Sequence, residues 1–249
     1  PMSLFKSGNP VLGEKVFRQE NLQGSRGEAM TTQGAVNKTL ILLGLVFLTG
    51  GLSWVLTATN PSLLPILAYG GAIAGLVIAL VTVFKKEWAP WTAPAYAIAE
   101  GFALGAISVV FEDMFEGIVM QAVLLTALTL FSMLLAYKSG WIKVTEKFRF
   151  MLVAATGGIA LVYLMTFILG FFGVEIPYIH GNGTVGIIFS LVVVAIAALN
   201  LVMDFDMIDQ GAAQGAPRFM EWYCGFSLLV TLVWLYLEIL RLLAKLNRR

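Results

Sequence analysis

The chain has 249 residues, 59% of them hydrophobic and only 12% charged, with a formal net charge of +1. That is more apolar surface than one soluble core could hide, so a lipid bilayer is the expected solvent. The near-neutral balance supplies no general basic surface and implies no nucleic-acid partner. The single cysteine, Cys224, excludes an internal disulfide and a cysteine-based metal site.

In chain order, residues 1–38 mix scattered charges with Gly, Ser and Gln and show little helical periodicity. They are expected to form a polar, mobile or surface-lying cytoplasmic tail ahead of a transmembrane domain over 39–249. The first apolar run begins only near Thr39, too late for the apolar stretch of a signal peptide, so the first helix is expected to remain as a span. Seven candidate spans follow, at 39–58, 63–84, 91–111, 117–137, 150–172, 184–208 and 222–243. A hydrocarbon core of roughly 30 Å needs about 20 helical residues, which each run supplies. The short alternating segments of a membrane β-barrel are absent. The expected fold is therefore all-α, a polytopic bundle of seven transmembrane helices.

Orientation follows from the basic residues. The tail holds Lys6, Lys15, Arg18, Arg26 and Lys38, the second connection Lys85 and Lys86, the fourth Lys138, Lys143, Lys147 and Arg149, and the sixth Arg218. The first, third and fifth connections carry no Lys or Arg, which puts the amino terminus in the cytoplasm. Seven crossings would then export Arg241, Lys245, Arg248 and Arg249, unless the last segment enters and returns. Crossing is favoured, because 222–240 is long enough alone. The outward connections contain Glu112, Asp113, Glu116 and Glu175. These either concentrate cations at the outer face or simply complement the basic inner side.

Few residues within the spans could carry chemistry. Glu100 lies near the middle of the third span, where a carboxylate costs roughly 2.5–3.5 kcal/mol unless protonated or paired. It should face the bundle interior or a wet cavity, either as a functional acid or as a neutral hydrogen-bonding link. Gly101 and Gly105 have the GxxxG spacing that admits a neighbouring helix. In "LNLVMDFDMID" Asp204 and Asp206 point about 200° apart, so both cannot serve one site, whereas Asn200 and Asp204 share a face. Asp209 at the exit is expected to be solvated. In the last segment Thr231 and Glu238 share a helical face, with Arg241 placed to pair with Glu238 or to snorkel to the interface. His180, the sole histidine, reads as a loop residue. No HExxH, Walker, GxSxG, dinucleotide or GxGD pattern occurs, so neither enzymatic activity nor a cofactor is expected.

The stretches "EGFALGAIS", "MDFDMID" and "PRFMEWYCGFSLLVTLVWLYLEILRLL" resemble the Bax inhibitor-1, or transmembrane Bax inhibitor motif, family, in particular its bacterial members. The resemblance covers about 40–246. It implies a seven-helix bundle with the last helix near its centre, in the bacterial cytoplasmic (inner) membrane. It further implies a pH-sensitive leak of calcium or other cations, gated by carboxylates on helices six and seven. Two nearby carboxylates do not both ionise readily, which makes such a dyad a proton sensor. Asp204 matches the sixth-helix aspartate, with Asp206 beside it. Aligning "ILRLL" places Thr231 at the family's seventh-helix aspartate, whereas matching acid to acid selects Glu238. From Trp222 to Glu238 is 16 residues, about 24 Å of helix, which separates Glu238 from Asp204. Lys85 and Lys86 resemble a basic latch for Asp204, and Arg218 is a further candidate. The family also suggests an alternative, a non-transporting regulator that binds another membrane protein such as a quality-control protease.

Overall fold

A computed structural model of the protein describes residues 29–172 and 183–248. The first four basic residues of the tail, together with Glu175, His180 and Arg249, lie outside the described residues. The helices are α1 (Thr32–Thr59), α2 (Gly71–Phe84), α3 (Ala89–Met114), α4 (Ile118–Lys138), α5 (Glu146–Phe171), α6 (Thr184–Ala213) and α7 (Met220–Asn247). A 3-10 turn (Pro61–Leu63) and a π-helical turn (Ile66–Gly70) precede α2, so the second span is not one uniform helix. The seven spans are all long and apolar enough to cross a membrane, and the described residues contain no β-strand. The all-α expectation holds.

The apolar pattern underestimates the helices at their polar ends. α1 begins at Thr32 rather than near Thr39, because Thr31 caps it by accepting the Gly34 N–H, and the polar residues that follow are helical. α6 likewise continues to Ala213. Glu112 and Asp113 sit on the last turn of α3 rather than in a connection. The α3–α4 link shrinks to a turn closed by Gly117 at φ +79°, a conformation glycine adopts without a Cβ penalty. Inside the spans, threonines such as Thr39, Thr49, Thr82, Thr126 and Thr166 donate to the carbonyl one turn back. This back-bonding lets a hydroxyl sit in an apolar helix without a partner from elsewhere.

The chain divides into two compact units. One contains α1, α2 and α3 with residues 204–230, the end of α6 and the start of α7. Here α3 packs against α1 through its glycines. A Cβ at Gly101 would overlap Thr49 Oγ1 and come 2.8 Å from the Val46 carbonyl oxygen. At Gly105 it would overlap the Gly50 carbonyl and come 2.7 Å from Ser53 Cβ. The GxxxG reading therefore holds, with α1 as the partner, and Ser53 Oγ donates across the seam to Phe102 O at 2.7 Å. Gly71 brings α2 equally close, since its Cβ would meet Ala99 O at 2.7 Å and Ala103 N at 2.8 Å.

The other unit contains α4, α5, the first part of α6 and the last part of α7. Lys245 Nζ donates to Gly186 O at 3.0 Å and Ser190 Oγ at 2.9 Å, tying the end of α7 to the start of α6. Asp204, toward the end of α6, is bonded to Ser227 near the start of α7. α7 is one unbroken helix of 28 residues, about 42 Å long. Of the seven spans it is the most buried, in keeping with the enclosed last helix that the resemblance implies.

Candidate functional site

Asp204 is only 5% exposed on α6, and Ser227 Oγ donates to its Oδ1 at 2.7 Å. Nine residues separate it from Ala213, the end of the helix, a depth of about 14 Å. Asp206 turns away as its angle requires: it is partly exposed and accepts from Gln210 Nε2 at 2.7 Å along the same helix. Asp209, partly exposed near the end of α6, accepts from Thr32 Oγ1 of α1 at 3.4 Å. Among the candidate latches, Lys86 Nζ lies 5.5 Å from the centre of the Tyr223 ring on α7. Lys85 ends α2 and Arg218 lies in the α6–α7 connection, both exposed.

Glu238 has partners of its own. It is 1% exposed and accepts from the Tyr163 hydroxyl of α5 at 2.8 Å and from Arg241 Nη1 at 2.9 Å, while the Arg241 guanidinium lies 5.4 Å from the centre of the Tyr163 ring. The i,i+3 pairing with Arg241 is thus present. Ser227, which touches Asp204, precedes Glu238 by 11 residues on α7, about 16 Å of helix. Thr231, one turn from Ser227 on the same face, is also buried. Asn200 directs its amide to Thr156 Oγ1 of α5 at 2.9 Å and to Ile196 O at 2.8 Å.

Glu100, half-buried on α3, stands against α2. It packs against Gly75, where a Cβ would stand 2.5 Å from Oε2, so the glycine makes room for the carboxylate. Two residues at this end of the bundle carry no obvious mark in the sequence. Ser227 could have been found by counting, since the α6–α7 hairpin places 204 and 227 at similar depths on either side of the connection. Glu221, in the first turn of α7, is 4% exposed and accepts from both the backbone N–H of Thr31 at 3.0 Å and its hydroxyl at 3.2 Å. Only the packing of α1 reveals that partnership.

The curated proteins and the solved structures give no match. A family model described as Bax inhibitor 1 like matches residues 9–248, reaching further into the amino-terminal tail than the motifs alone indicate. With seven membrane-length helices under a match that spans nearly the whole chain, this membrane protein belongs to the Bax inhibitor 1 like family.

Proposed function

We propose that the protein is a non-enzymatic cation leak pathway, with calcium as the expected ion, biased by protonation of Asp204. The observation that carries this reading is the acid itself: a carboxylate nearly sealed from solvent on α6, held by a hydroxyl of α7. An ionisable side chain inside a membrane span is costly enough to suggest a functional role. Ser227 suits the switch because a hydroxyl donates to a carboxylate and accepts from a carboxylic acid. Titration of Asp204 would then change the charge while the contact between α6 and α7 persists. Glu238 accepts from Tyr163 and Arg241, so the reading rests on Asp204 and Ser227 rather than on a pair of carboxylates. The expected setting is the bacterial inner membrane with a cytoplasmic amino terminus, which puts the Asp204–Ser227 pair toward the cytoplasmic side.

The test is calcium flux into liposomes holding the purified protein, over a series of pH values. Asp204→Asn should alter basal flux and flatten its pH response, while Glu146→Gln, at an exposed helix start, should change neither. A pH profile that survives Asp204→Asn but disappears in Glu238→Gln would move the gate along α7. Absence of flux in every variant would favour the alternative, a regulator that binds another membrane protein.

A further inference from the structure

Residues 29–34 hold the turn between α6 and α7 from outside it. Ala29 pairs antiparallel with Pro217 in an isolated β-bridge, and the Met30 N–H donates to Ala216 O at 2.7 Å. The Met30 side chain is 2% exposed. Thr31 gives both its N–H and its hydroxyl to Glu221 Oε1, while the same hydroxyl accepts from Gly34 N–H at 2.8 Å. Thr32 reaches Asp209 on α6. Position 34 has no room for a side chain, because a Cβ there would occupy the place of the Glu221 carboxylate.

The chemistry explains why an acid stands at this point. A buried carboxylate needs donors, and the start of α1 offers two from one residue. The amino end of a helix also favours a negative charge, and Glu221 lies beside the amino ends of both α1 and α7. Glu221 and Ser227 are six residues apart on α7, and Asp204 and Asp209 five apart on α6. The ends of both helices that carry the buried acid and its hydroxyl are therefore tied to the same short segment of α1.

We propose that Glu221 is a positioning residue that clasps the amino end of α1 to the α6–α7 turn, keeping Asp204 and Ser227 together and restraining ion passage. The effect on ion passage rests on the leak reading; the clasp itself does not.

The experiment uses the full chain in vesicles, with Cys224→Ala as the parent. Ala29→Cys and Pro217→Cys are introduced together, since antiparallel partners lie about 4.5–5.5 Å apart at Cα, within disulfide range. Oxidation should cross-link the parent and Glu221→Gln, whose amide oxygen still accepts from Thr31. It should give several-fold less product in Glu221→Ala and Gly34→Ala. The glycine variant separates positioning from folding: alanine is the better helix former, yet its methyl displaces the carboxylate. Without the added cysteine pair, calcium should leak several-fold faster through Glu221→Ala and Gly34→Ala than through the parent, with Glu221→Gln near the parent. The cross-linked pair should leak least and recover on reduction.

Equal cross-linking in all variants overturns the clasp. Reduced cross-linking with unchanged flux, in a parent that leaks, overturns the positioning role. If the parent itself does not leak, the leak reading fails separately. The clasp is then judged by Ser227→Cys, which should react faster with a water-soluble thiol reagent when combined with Glu221→Ala. An unchanged rate refutes it.

Discussion

Replacing Arg241 should cost more than replacing Arg241 and Glu238 together. The Glu238 side chain is 2% exposed and that of Arg241 47%, so the pair joins a buried acid to a half-exposed base. Breaking a fully buried pair costs about 3–5 kcal/mol, and an exposed pair contributes about 0–1 kcal/mol. Arg241→Met leaves the acid in place with the Tyr163 hydroxyl, which places the expected loss between these limits, at about 2–3 kcal/mol. Glu238→Gln leaves Arg241 access to its surroundings and retains an acceptor for Tyr163, so it should cost about 1 kcal/mol. The double variant has no buried charge to strand and should also lie about 1 kcal/mol below the parent, giving a coupling of about 2–3 kcal/mol. Thermal unfolding in detergent can be followed by reaction of Cys224, which is fully buried and the only thiol. On the scale of domains of about 150–250 residues, Arg241→Met should lower the midpoint by about 5–10 °C. A double variant less stable than Arg241→Met would refute the argument, as would an Arg241→Met protein as stable as the parent.

Glycines on α1 and α3 should respond with opposite signs to the same change. Gly44→Ala, with nothing within 4 Å of the new methyl, should stabilise by up to about 1 kcal/mol, whereas Gly105→Ala pushes a methyl into the backbone of α1 and should destabilise by about 1–3 kcal/mol; thermal midpoints measured side by side decide it. Full crossing by α7 predicts that single cysteines at Asp113 and Asn247, with Cys224 replaced, label from one face of the membrane and one at Gln214 from the other. Labelling of all three from one face would contradict it.

Much of the architecture is legible in the sequence, because a bilayer imposes length and polarity on each span independently of its neighbours. The seven runs, the close packing at Gly101 and Gly105, the divergence of Asp204 from Asp206 and the pairing of Glu238 with Arg241 all follow from spacing within one helix. The opposing helix was another matter. Glu100 stands out in the sequence as a charge within a span, but Gly75 as its neighbour could not be named. Thr231 drew attention as the aligned position, while the hydroxyl that reaches Asp204 belongs to Ser227, one turn earlier. Nothing in the sequence marks Glu221, whose partner Thr31 is set by the packing of α1, and α1 begins seven residues before its apolar run. Helical periodicity specifies the face on which a side chain stands. The residue it meets depends on the axial offset between helices, which the turn lengths and the packing of glycines and hydroxyls set only in the folded chain.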